Sequence, residues 1–255
     1  MITWFEAVIL GLIQGIAEWL PISSSGHLVL AEKIMGISQP LAFDVYLHLA
    51  SLLVILIIFW QDISRLAIGV FRGDKYFIKY FSWLVLASIP IGLVGYFLRD
   101  LIETAFNSLF MVGLSLLFTG LVLYFSKYPL QKNKRLSWSS SFFAGIAQAI
   151  ALLPGVSRSG MTISSALMQS VERKEAVRFS FLLFIPAVLG ATFLEASHLA
   201  EIESFSSLAI AMVVSFVFGY FSLKWLLKIV QEKHFYHFCW YCWGLGLVIL
   251  IVSLV

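Results

Sequence analysis

Six uninterrupted apolar runs, each close to the roughly 20 residues that a helix needs to cross the hydrocarbon core of a bilayer, dominate this chain. They lie at Leu41 to Trp60, Tyr80 to Leu98, Ser108 to Ser126, Phe179 to Ser197, Ser207 to Leu223 and His237 to Val255. A chain so built has lipid for its solvent, and in lipid the backbone must satisfy its own polar groups. With 60% hydrophobic residues, 12% charged residues and a mean hydropathy of +0.94, there is too little polar surface to cover a water-soluble globule. The fold expected is an all-α polytopic membrane protein, a single integral membrane domain over residues 1–255.

Two further apolar stretches, residues 2–31 and 141–170, are each broken in the middle by Pro, Gly and several Ser. Loop charge decides how they lie. The loop from Gln61 to Lys79 holds Arg65, Arg72, Lys75 and Lys79, and the loop from Lys127 to Ser140 holds Lys127, Lys132, Lys134 and Arg135, so both read as cytoplasmic. The loop Arg99 to Asn107, with Asp100 and Glu103, and the acidic loop Ser197 to Ser206, with Glu201 and Glu203, fall on the other side. Lys224, Lys228 and Lys233 mark the inner face again, and Arg173, Lys174 and Arg178 must share it. Residues 141–170 therefore enter and leave on one side, as a re-entrant hairpin. Residues 2–31 form a second hairpin that opens from the outer face.

The two hairpins repeat one another. Gly11 to His27 (GLIQGIAEWLPISSSGH), aligned without gaps to Gly145 to Met161 (GIAQAIALLPGVSRSGM), matches at seven of 17 positions, among them Gln14/Gln148, Ser23/Ser157, Ser25/Ser159 and Gly26/Gly160. Three full spans separate the copies, an odd number, so the repeats, approximately 1–126 and 141–255, are expected to be inverted in the membrane. Broken helices in an inverted repeat place a binding site near the midplane, with half-helix N-termini directed at an anion.

Irregular backbone at membrane depth survives only where it lines a polar cavity or is buried in protein. Pro21 to His27 and Pro154 to Thr162 are thus expected to line such a cavity, with Ser23, Ser25, Gly26, Ser157, Ser159, Gly160 and Thr162 holding phosphate oxygens. Arg158 lies inside the second turn, where a charge costs roughly 2.5 to 3.5 kcal/mol. It needs an anion, either a phosphate held by its guanidinium fork or Glu18 as a structural partner. Glu18 and Gln14, one turn apart on one helical face, could ligate a divalent cation (Mg²⁺ or Ca²⁺), or Glu18 could act as a base; Gln14 could equally hydrogen-bond a neighbouring helix. Ser24 takes the position of Arg158 in the first copy, and with His27 nearby it is a candidate nucleophile. Asp44 and His48, on one face of the first span, are weaker candidates.

Other features carry less. The net charge of +3 sits in short loops and speaks to membrane orientation rather than to nucleic acid. The N-terminal stretch carries Glu6 and Glu18, no basic leader and no small-residue cleavage site, and is expected to be retained rather than removed as a signal peptide. Cys239 and Cys242 form one C-x-x-C pair, a poor zinc site, and their spacing is expected to give an inert stripe facing the membrane.

The two motifs, Gln14-Gly-Ile-Ala-Glu18-Trp-Leu-Pro-Ile-Ser-Ser24-Ser-Gly-His27 and Pro154-Gly-Val-Ser-Arg158-Ser-Gly-Met-Thr162, give the chain its resemblance to the undecaprenyl-diphosphatase family, the bacitracin-resistance membrane phosphatases. The resemblance covers essentially the whole length. It implies six spans with two re-entrant helix pairs, hydrolysis of the terminal phosphate of undecaprenyl diphosphate in the cytoplasmic membrane, and essential roles for Glu18, Ser24, His27 and Arg158. It also implies a role in recycling the lipid carrier for cell-wall synthesis; the loop charges put the site on the outward face, and membrane lipids and a second copy in a homodimer are the expected partners. Gln14 departs from the second acidic residue that the family often carries there, which weakens the cation site. The alternative from another class is a polyprenyl-phosphate transporter, which needs an anion site but no nucleophile.

Overall fold

The computed structural model describes residues 2–128, 134–202, 204–232 and 234–254. Three charges counted in the loops, Lys132, Glu203 and Lys233, lie outside the described residues. The described chain is helical from end to end: α1 (Trp4–Ala17), α2 (Ser24–Met35), α3 (Leu41–Ile58), α4 (Trp60–Phe71), α5 (Lys75–Phe97) and α6 (Arg99–Phe106) come first. They are followed by α7 (Leu109–Phe125), α8 (Trp138–Ile150), α9 (Arg158–Met168), α10 (Arg173–Leu194), α11 (Phe205–Gln231) and α12 (Phe238–Ser253). This is a multi-pass membrane protein. α3, α5, α10, α11 and α12 are each apolar and long enough to cross a bilayer, α10 and α12 with a short 3-10 turn added, and α6 with α7, bent by 99°, makes a sixth candidate.

These six helices coincide with the six apolar runs, while two stretches expected as loops are helical. α4 follows α3 after the single residue Phe59, and α6 follows α5 after Leu98. Both are amphipathic: Ile63 and Leu66 of α4 pack on the main core, and Ile102 of α6 is buried. Charged residues on their other faces had disguised them as loops.

The two broken stretches fold as helical hairpins whose arms pack on each other, α1 on α2 and α8 on α9. At 1.5 Å per residue the longest arm, α1 with 14 residues, spans about 21 Å, short of the hydrocarbon core of about 30 Å. Each first arm is seated by a glycine against a long helix. A Cβ on Gly11 would lie 2.4 Å from the Ala211 carbonyl of α11, and one on Gly145 would lie 2.4 Å from the Ala87 carbonyl of α5. Much of the packing of the long helices is paired in the same sense: α1 lies on α11 and α8 on α5, α3 lies on α11 and α10 on α5, while α7 meets α12 and α3 meets α10. The second arms differ, α9 lying on α7 and α10 where α2 meets only α1 and α7 closely. Cys239 and Cys242 face inward rather than the membrane, both fully buried as free thiols, because this side of α12 is the one packed on α7.

Candidate active site

The non-helical turns between the hairpin arms meet at the centre of the molecule, and they are built alike. Ser23 caps α2 by accepting from the Gly26 N–H at 3.2 Å, and Ser157 caps α9 by accepting from the Gly160 N–H at 3.1 Å. The next hydroxyl leans on each cap, Ser25 on Ser23 at 3.2 Å and Ser159 on Ser157 at 3.3 Å. The turns also touch reciprocally. A Cβ on Gly26 would stand 2.9 Å from the Gly155 Cα, and one on Gly160 would stand 3.3 Å from the Pro21 Cβ, contacts that the alignment of the two copies interchanges. Helix side chains hold each turn from behind: Thr119 of α7 donates to the Gly155 carbonyl at 3.1 Å, and Cys242 of α12 donates to the Pro21 carbonyl at 3.4 Å. The copies differ at the cap itself, since Ser23 is held at φ 69° whereas Ser157 has φ −77°. That left-handed backbone is a local strain at the residue before Ser24.

Glu18, in the first turn and 6% exposed, is the hub. Its Oε1 pairs with the Arg158 guanidinium Nη2 from the other turn. Its Oε2 accepts from the Ser24 hydroxyl at 2.5 Å and from Gln14 Nε2 at 3.2 Å, and faces His48 Nε2 at 3.3 Å. The other nitrogen of His48 lies 2.7 Å from the Asp44 carbonyl, so donating to both oxygens takes the doubly protonated imidazole. Phe184 of α10 backs the site, its ring centroid 3.7 Å from the Arg158 Cζ. Trp19, fully buried, sets the turn by packing edge-on against Phe181 and Phe184.

Glu18, Ser23, Ser24, Ser25, Ser157 and Arg158 all line one cavity of about 210 Å³, and His48, Asp44 and Gln148 join them. The same lining also holds apolar side chains, among them Ile91, Leu152, Ile102, Phe106 and Leu194. Arg99, held bidentately by Glu195 at 3.1 and 3.2 Å, also lines it.

Other expected site residues stand elsewhere. Among the described residues no hydrogen bond joins His27 to Ser24; its Nδ1 lies 2.7 Å from the Ser23 carbonyl, its Nε2 lies 2.7 Å from the Tyr241 hydroxyl, and its ring stacks on Tyr241 of α12. Thr162 points away from the cavity, donating to the Arg158 carbonyl at 2.9 Å and meeting Ser180 of α10. Ser159 donates weakly to the Leu20 carbonyl at 3.4 Å, and Gly26 and Gly160 serve the contact between the turns. The imidazole on Glu18 is that of His48, brought by the packing of α3 on α1. Gln148 was visible in the sequence only as the repeat mate of Gln14.

Glu18 and Gln14 do not fit a resident divalent cation as they stand. Gln14 presents its N–H to Glu18, and every oxygen of Glu18 already meets a donor or a cation. The buried Gln14 Oε1 is the single oxygen of the pair left open among the described residues, too few for a hard cation that takes about six or more. Among the described residues no group of three or more His, Cys, Asp or Glu side chains is placed to hold a metal.

Comparison with known proteins places the chain. The family described as Bacitracin resistance protein BacA matches residues 7–248. A protein named undecaprenyl-diphosphatase from Methanosphaera stadtmanae is 39% identical over the whole of both chains. Proteins of the same name from Bacteroides fragilis and Bacteroides thetaiotaomicron are 38% and 39% identical, over 98% of both chains and over 99% and 100% respectively. The chain belongs to the Bacitracin resistance protein BacA family.

Proposed function

We propose that this member of the family is an undecaprenyl-diphosphate phosphatase, which releases the terminal phosphate of the lipid carrier and leaves undecaprenyl phosphate. One observation carries the residue-level reading: the Ser24 hydroxyl donates to Glu18 at 2.5 Å while Arg158 of the opposite turn pairs with the same carboxylate, in a cavity whose lining is otherwise largely apolar. An amphiphile with a phosphorylated head and a prenyl tail matches that lining.

Ser24 is the first residue of α2 and Arg158 the first of α9, so both half-helix N-termini turn their free N–H groups toward the head group. The terminal phosphate takes up the Arg158 guanidinium. Ser24 Oγ attacks the terminal phosphorus in line, and its proton passes to Glu18 Oε2. The bond from phosphorus to the bridging oxygen breaks, and undecaprenyl phosphate departs with the electron pair. Water then attacks the phosphoserine, gives one proton to Ser24 Oγ as that bond breaks and carries the other into inorganic phosphate, while Glu18 releases the proton it took to the departing undecaprenyl phosphate and is ionised again. His48, held by the Asp44 carbonyl, keeps Glu18 ionised and oriented. His27 acts through position, tying the Ser23 turn to α12. A divalent cation enters this reading only as a companion of the diphosphate, as part of the substrate.

The hairpins are read as an inverted repeat, supported by the interchanged contacts of the turns and by the paired helix packing. The cavity opens outward in the cytoplasmic membrane, a reading supported by Arg65, Arg72, Lys75 and Lys79 on the opposite side from the Arg99–Asn107 segment. The test is phosphate release from undecaprenyl diphosphate by protein purified in detergent. Glu18→Gln, Ser24→Ala and Arg158→Ala should each abolish release; release unchanged in Ser24→Ala would move the nucleophile to water.

A further inference from the structure

Gln148, on α8, is fully buried and lines the cavity, yet neither its Nε2 nor its Oε1 meets a hydrogen-bonding partner among the described residues. Buried amides are nearly always paired, so one left open toward a cavity is held for something else. Its repeat mate explains why it is open. Gln14 donates to Glu18, four residues on, whereas the position four residues after Gln148 is Leu152, so the second copy has kept the amide and lost its carboxylate. Arg158 Nη1 is likewise buried without a partner, while Nη2 is spent on Glu18. Two N–H groups are thus unspent in the wall of one cavity.

Their places in the lining differ. Arg158 stands with Ser24 and Glu18 at the reacting end. Gln148 is in the last turn of α8 and Leu152 in the turn that follows it; both line the cavity, and the Leu152 Cδ1 lies 3.7 Å from where a Gly95 Cβ would be, among apolar lining residues that include Ile91. Gln148 is thus a polar group of the lining that makes no hydrogen bond to Glu18, Ser24 or Arg158 and comes four residues before the apolar Leu152. We infer that Gln148 is a substrate-binding residue for the lipid-linked phosphate, the one that stays on the prenyl chain, and that it discriminates a prenyl diphosphate or monophosphate from free phosphate. This rests on the phosphatase reading for its substrate, but recognition of a prenyl phosphate can be measured without turnover.

The experiment compares wild type with Gln148→Leu, which removes both polar atoms at similar volume, and with Gln148→Met, in case the branched side chain does not fit. The probes are undecaprenyl phosphate, measured by direct binding and as a product inhibitor, and inorganic phosphate as an inhibitor. Losing one hydrogen bond to a charged group is expected to weaken undecaprenyl phosphate binding about tenfold to hundredfold, to raise KM for undecaprenyl diphosphate in parallel, and to leave inhibition by inorganic phosphate within about twofold. Thermal stability should hold or rise, because an unpaired buried amide is removed; a structural glutamine would lose stability instead. Equal binding of undecaprenyl phosphate by wild type and variants overturns the inference, as does equal weakening of inorganic phosphate. Weakened lipid binding in a protein whose wild type releases no phosphate would support Gln148 and sink the phosphatase reading.

Discussion

Gly26→Ala is the substitution that most directly tests whether the two turns meet as described. The new Cβ would lie 2.9 Å from the Gly155 Cα and 3.2 Å from its N, both backbone atoms that cannot rotate away. Gly155 cannot retreat either. It has φ +90°, and on its own far side an added Cβ would stand 2.5 Å from the Val112 carbonyl of α7. Restoring an ordinary carbon–carbon separation of about 3.5–4.0 Å therefore moves α2 by about 0.6–1.1 Å, taking with it Ser24, two residues away in the first turn of that helix. Overpacking of this kind costs about 1–3 kcal/mol, which a folded protein can absorb as a lower unfolding midpoint. The chemistry is less tolerant, since a misplacement of about 1 Å at reacting groups costs on the order of 100-fold. The assay is kcat for phosphate release from undecaprenyl diphosphate, with gel-filtration profile and unfolding midpoint as fold controls. Gly92→Ala in α5, where nothing lies within 4 Å of the added carbon, should leave kcat unchanged. Wild-type kcat in Gly26→Ala would refute the contact and the placement of Ser24 that depends on it.

Arg158→Lys should lower kcat/KM by about 100-fold, because an ammonium cannot hold Glu18 and a phosphate oxygen with one planar fork; steady-state kinetics would show it. His48→Phe should lower kcat more than it raises KM, since His48 touches Glu18 rather than the tail wall, and Tyr241→Phe should reproduce part of the loss in His27→Ala if His27 acts by position. Gln14→Glu sets a second carboxylate one turn from Glu18, and in chelator-stripped enzyme it should shift the Mg²⁺ titration of activity to lower concentration. Asn107→Cys, exposed at the α6–α7 bend, should react with a membrane-impermeant maleimide from outside the cell while buried Cys239 and Cys242 stay silent; labelling only from inside reverses the orientation.

Much of this fold was legible because lipid leaves few choices. Each apolar run had to be a helix, and the breaks at Pro21 and Pro154 had to be covered by protein, so the six candidate spans and the two hairpins could be read from run length and composition. α4 and α6 were not legible, since an amphipathic helix at a membrane surface carries the same Arg, Lys, Asp and Glu that mark a loop. At the site, Glu18 and Arg158 announced themselves by the cost of burying charge in a membrane. The partners of His27 were not legible from its place after the serine turn. Ser24 is the first residue of α2 and its hydroxyl leaves the helix end toward Glu18, whereas His27 sits on the flank and turns to α12. The imidazole that reaches Glu18 comes from α3, and no local pattern encodes the packing of one helix on another.

The comparison of the two copies explains why a site exists here at all. Both turns keep the same serine cap, the same second hydroxyl and the same glycine at the contact, so the frame is common. Two of the ten positions that differ fall on the charged pair and its neighbour: Glu18 faces Leu152 in the alignment, and Ser24 faces Arg158. Because the turns meet reciprocally, a change in one copy is presented to the other across the contact, and an acid in the first turn finds its cation in the second. Had both copies kept the acid, two buried carboxylates would oppose one another; had both kept the arginine, two cations would. Divergence at these positions turns a symmetric junction into a polarised one, with Glu18, Ser24 and Arg158 joined across it and the apolar Leu152 where the second copy would have carried the acid.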